Sequence, residues 1–118
     1  PKTAELIRKG QAVSDTQLEH DRLGRVVLRN HFIEAMINHE IDLWLSPAAP
    51  GGAPAGLEST GDPVMNLPWT HSGLPSMNVP SGHATNGLPL GLQLTARFNA
   101  DELMLAWAAD IETVVYRS

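Results

Sequence analysis

The 118-residue chain contains no cysteine, which excludes a disulfide framework and a thiolate metal site and fits a reducing compartment. Charge is scarce: charged residues make up 18% of the chain and the formal net charge is -5. The few arginines are mixed with Glu and Asp, so there is no basic footprint, and phosphate backbones and acidic membrane surfaces are excluded as partners. No nucleic acid and no membrane is expected to bind. No stretch approaches the roughly 20 apolar residues that cross a bilayer. The N-terminus lacks the basic flank and apolar stretch of a signal peptide, so the sequence predicts a cytoplasmic protein. The chain opens on Pro1 and not on Met, so its start is expected not to be a native one.

What is present is the material of one packed domain: a hydrophobic fraction of 42%, in a length that suits a single core. Ala4 to Gly10 suits one or two helical turns closed by a glycine. Ser14 followed by Gln17 has capping-box spacing, so a long helix is predicted from Asp15 to about His39. Its apolar residues, among them Leu18, Leu23, Val26, Phe32 and Met36, cover a broad arc that also takes in Arg22 and Arg29, which implies more than one neighbour. The run Leu43, Trp44, Leu45, between Asp42 and Pro47, resembles a central strand buried on both faces.

From Leu43 to Ala96 the chain changes character. Glu58 and Asp62 are its only Asp, Glu, Lys or Arg residues there, while Pro and Gly recur throughout. Trp69, Met65, Met77, Val79 and several leucines make this a poor solvated linker and predict packed loop with short strands. Strands are expected over Ser76 to Val79, ending at Pro80, and over Leu90 to Ala96. Gly73, Gly82 and Gly87 suit backbone angles closed to other residues, and Pro75, Pro80 and Pro89 suit turns. Asn99 followed by Glu102 repeats the capping arrangement before a C-terminal helix. The organisation expected is helical over 1–40, strands and Pro/Gly-rich loops over 41–98, and a helix over 99–118.

The residues able to carry chemistry give little on their own. His20, His31 and His39 are eleven and eight residues apart, not the three or four that place two metal ligands on one helix face, so no metal site is expected. His71 and His83 lie near Ser72, Ser76 and Ser81, with Asp62 as a conceivable third member, but triads meet in space and not in sequence. No lysine follows Lys9, which leaves no amine beside a Ser-rich loop for a Ser-Lys mechanism. Gly51, Gly52 and Gly56 follow a strand, but no Lys-Ser/Thr pair follows them, so they shape a loop and cradle no phosphate. Trp69 has the most informative setting, among Asn66, Thr70, His71 and Ser72. It reads either as a core indole with one hydrogen-bond partner or as part of a site.

Taken together, Leu45-Ser-Pro-Ala-Ala-Pro, Ser59-Thr-Gly-Asp-Pro, the run from Asn66-Leu-Pro-Trp-Thr-His-Ser-Gly to Val79-Pro-Ser-Gly, and Gly87-Leu-Pro-Leu-Gly-Leu-Gln resemble the C-terminal third of amidase signature enzymes. Asp101-Glu-Leu-Met-Leu resembles the start of that family's final helix, so the resemblance covers nearly the whole chain. It implies an α/β architecture: the C-terminal segment of the amidase signature mixed-sheet fold, with helices covering a few strands. It also implies a parent amidase that cleaves carboxylic amides with a Ser-cis-Ser-Lys triad. None of the Ser-Ser-Lys signature is present here, so no catalytic residue is assigned and the segment alone is expected to be inactive.

By the same resemblance, the segment from Asn66 to Ser72 lies beside the acyl pocket, and Asn66, Trp69 and Thr70 are the expected substrate-binding residues. No cofactor is implied. The partners implied are a small-molecule amide in the parent enzyme and the missing N-terminal part. Without that part the charge-poor stretch should expose an apolar patch and self-associate. Two alternatives from other classes stay open: a non-catalytic small-molecule-binding module of the same fold, and a subunit that complements a separately encoded catalytic half.

Overall fold

The computed structural model describes residues 2–115. Helix α1 spans Lys2–Gln11, longer than the one or two turns expected, and carries an exposed Glu5–Lys9 pair at 2.9 Å. Such an i,i+4 pair, with the acid on the N-terminal side, stabilises a helix by a few tenths of a kcal/mol.

Helix α2 spans Asp15–Asn38, as the cap predicted: extended Ser14 accepts from the Gln17 N–H at 3.2 Å. Only half of the capping box forms, because the Gln17 side chain turns forward to donate to Asp21 at 2.7 Å. The face that α2 packs inward is also narrower than its apolar arc. Arg25, Arg29, Phe32 and Met36, one stripe at i, i+4, i+7 and i+11, make its contacts, while Leu18, Leu23, Val26, Val27 and Ile37 stay exposed.

Strands β1 (Trp44–Pro47), β2 (Ser76–His83) and β3 (Pro89–Thr95) form one antiparallel sheet in the order β1-β3-β2. The expectation for the first strand is corrected here. Within this sheet β1 is an edge, β3 is central, and β1 alternates half-buried Trp44 and Ser46 with Leu45 and Pro47, Leu45 being 57% exposed. Strand β2 does not stop at Pro80; it runs on to His83 through an irregularity between Pro80 and Gly82, where Gly82 takes φ +119°. An edge strand tolerates a proline because the missing N–H falls on its open side. Gly87, at φ +79°, closes the turn into β3 with its N–H on the Ala84 carbonyl.

The register gives the sheet two unlike faces. Leu45, Leu92, Leu94, Met77 and Val79 share one face, and there Val79 and Leu94 pack with Ala108 and Ile111 of α4 (Asp101–Val115). Trp44, Ser46, Gln93, Thr95, Ser76 and Asn78 share the other, which faces a short helix α3 (Leu67–Ser72).

Helix α3 stands where only loop and strand were expected. Asp62 accepts from the Val64 N–H and caps a 3-10 turn, Pro63–Met65, which leads through Asn66 into α3, and Gly73 ends it at φ +69°. A cap residue followed by proline, with a glycine past the end, is the usual punctuation of a short helix.

The expected Asn99 cap is not made. Asn99 takes a left-handed φ of 62°, the Ala100 N–H turns back to the Arg97 carbonyl, and α4 begins at Asp101. Asn visits that region at little cost. Residues 116–118 of the expected final helix lie outside the described residues.

The fold leaves much surface uncovered. Its radius of gyration is 17.1 Å, against about 13.5 Å for a compact domain of this length. It exposes 8777 Å², where a compact globule of this size exposes about 6,200 Å². Exposed large apolar side chains on α1, α2 and α4 and on the loop before α3 are part of that surface. No helix among the described residues is long and apolar enough to cross a membrane.

Candidate functional site

Gln93 interrupts the apolar run from Pro89 to Leu94 and sits 4% exposed in β3. Burying an amide without partners costs several kcal/mol, so its bonds decide the local arrangement. Its Oε1 accepts from the Trp69 indole N–H at 3.0 Å and from the Ser46 hydroxyl at 3.2 Å, and its Nε2 donates to Asn66 Oδ1 at 2.6 Å. Asn66 also donates to the Ala48 carbonyl at 3.5 Å. One buried side chain thus ties β1, β3 and α3 together.

Helix α3 and its N-cap Asn66 bring Asn66, Trp69 and Thr70, at i, i+3 and i+4, to one side. All three line a cleft of about 590 Å³ that also takes in Gln93, Phe98 and Asp101. The Trp69 ring rests on Phe32 at 4.9 Å between centroids, and Phe32 in turn meets Trp44 edge-on at 6.0 Å. Edge and tilted arrangements of this kind are the favoured ones for aromatic pairs.

Two arginines of α2 hold the far end of α3. Arg25 Nε donates to the His71 carbonyl at 3.1 Å and Arg29 Nε to the Ser72 carbonyl at 2.7 Å. Cations there meet the negative end of the helix and satisfy carbonyls with no partner inside it. The Arg29 guanidinium also lies 3.9 Å from the centre of the Phe98 ring, so one side chain braces two walls of the cleft. A Cβ on Gly73 would stand 3.1 Å from Arg29 Nη2.

The serines near the histidines have other partners. Ser72, fully buried, donates to the Trp69 carbonyl at 3.3 Å, and Ser76 pairs with Thr95 across the strands at 2.8 Å. Among the described residues no serine hydroxyl bonds a histidine ring, and Asp62 serves as a helix cap. No group of three or more His, Asp or Glu gathers among the described residues. The sequence pattern does not single out Gln93 or Ser46. The available signal is a glutamine in the middle of a leucine-rich strand, which must find partners if buried.

Proteins of known character are similar to this chain in sequence. It is 36% identical over 95 residues to the A subunit of glutamyl-tRNA(Gln) amidotransferase from Gluconobacter oxydans (strain 621H), a match over 75% of this chain and 19% of that protein. It is 37% identical over 95 residues to the corresponding protein of Granulibacter bethesdensis, again over 75% and 19%. The relation is to amidase signature proteins. A protein of Mycobacterium bovis named as putative amidase AmiA2 is 43% identical over 47 residues, 40% of this chain and 10% of that protein. The chain therefore spans about a fifth, or less, of the length of the curated relatives it matches. No family model matches it.

Proposed function

We propose that this chain is the C-terminal segment of an amidase and builds one wall of its acyl pocket. The Ser-Ser-Lys machinery belongs to a part of the protein outside this chain. There a serine attacks the amide carbonyl, the amine leaves, and water cleaves the acyl-enzyme. The segment supplies no nucleophile, and Asn66, Trp69 and Thr70 shape the space the acyl group occupies. The observation that carries this reading is the convergence of those three residues on one cleft, with Gln93 bonded to two of them. The uncovered apolar surface supports the further view that more protein packs against α1, α2 and α4, and that the isolated segment self-associates.

One observation favours a second reading. Strands β1 and β2 are both edges, open to another strand, so the segment also suits a subunit completed by a separately encoded catalytic half. Intact mass and amidase activity, measured on the same native sample, test both. A mass several times that of this chain, with activity, supports the segment of an enzyme. Activity that needs a second, Ser-rich polypeptide supports the complementing subunit, and a chain of this size with neither activity nor partner sinks both.

A further inference from the structure

We infer that the cleft selects neutral amides whose acyl part is flat, and that Gln93 is the positioning residue that makes it selective. The inference rests on the pocket reading given above and names the class of acyl group the pocket takes.

The flatness follows from how the aromatic wall is held. Trp69 is fixed at three points: its N–H on Gln93, its ring on Phe32, and its helix by Arg25 and Arg29. A wall ordered in advance loses little conformational freedom when a guest stacks on it, so more of the contact appears as affinity. Phe98, braced by Arg29, gives the cleft a second ring. Flat guests gain from stacking on such rings beyond the area they bury.

The neutrality follows from the lining. Asp101 is its one ionisable residue, and no Lys, Arg or His is among it. Arg25 and Arg29 are engaged with the α3 carbonyls. Against this wall, a carboxylate on the guest would lose water, meet no cation and share the cleft with a like charge.

Gln93 acts through Trp69 and Asn66. Bonded at both ends of its amide, it sets the plane of the indole and the orientation of the Asn66 amide. Its replacement frees the ring to turn, and the preference for a flat guest goes with it even where the fold survives.

Three probes test this on the protein in its native, full-length form, with dissociation constants from calorimetry: benzamide, cyclohexanecarboxamide of matched size, and 4-carbamoylbenzoate, which adds a carboxylate to the benzamide ring. Benzamide is expected to bind roughly fivefold tighter than the cyclohexane analogue, from the stacking gain of an aromatic pair, and at least about tenfold tighter than the anionic probe. In Gln93→Leu the first ratio falls to near one while the far-ultraviolet circular dichroism is unchanged. Should that variant not fold, Trp69→Leu, at a half-buried helix position, removes the wall directly and gives the same loss. Equal binding of benzamide and the cyclohexane analogue, or a ratio that survives Trp69→Leu, overturns the inference and leaves the pocket reading standing. Failure of all three probes to bind overturns the pocket reading together with it.

Discussion

The two faces of β3 are built on different principles. Leu92 and Leu94 point toward α4 and join Val79 and Ala108 in a small core, where hydrophobic contact is non-directional and tolerates similar shapes. Gln93 and Thr95 point the other way and are fully buried or nearly so, where each must meet a partner of the right kind at the right angle. One face specifies that the sheet is covered; the other specifies by what. The cleft lies on the second face, and this is why its walls are held so closely.

The largest expected effect tests the apolar face. Leu94→Ala, at a fully buried position, should cost about 2–5 kcal/mol in urea unfolding. A cost below about 1 kcal/mol would mean that α4 does not close over the sheet as described. On the polar face, Gln93→Leu keeps the volume apolar but strands the Asn66 carbonyl oxygen and the Trp69 N–H. The expected loss is about 2 kcal/mol, and a neutral outcome would erase the distinction between the faces. Gly73→Ala should cost about 1–2 kcal/mol, since an L side chain at φ +69° is strained and its Cβ crowds Arg29. Serine tests a position outside the comparison: Ser14→Ala should cost about 1 kcal/mol through the lost α2 cap. If that loss matched the one at Gln93, local capping would rival the buried network in holding the fold.

Much of the local structure was legible in the sequence. The Ser14 cap that opens α2, the apolar pattern of α4 and the positive-φ glycines at 73, 82 and 87 are local signals, and each reappears in the structure, whereas the broad apolar arc of α2 is left mostly exposed. The polar face was legible only in part. Asn66, Trp69 and Thr70 stood out by resemblance, but the helix that carries them did not, because the recurring Pro and Gly of that stretch read as packed loop and not as the first turns and end of short helices. Gln93 escaped notice because its partners lie 24, 27 and 47 residues away, a separation that no local pattern encodes. The edge position of β1 was missed for the same reason: strand order is a property of pairing, and Leu43-Trp44-Leu45 carries no mark of it.

The loop between β1 and the turn at Pro63 carries a leucine, Leu57, that is 101% exposed, bare of any packing. A protease with a taste for large apolar residues would find that peptide bond first, since exposed loop tips are the usual sites of nicking. The cut would not release β1, whose ladder to β3 and whose Ser46 bond to Gln93 both cross the break. Two fragments made separately, 1–57 and 58–118, should therefore find each other again, with the Trp69 indole as reporter of their reunion.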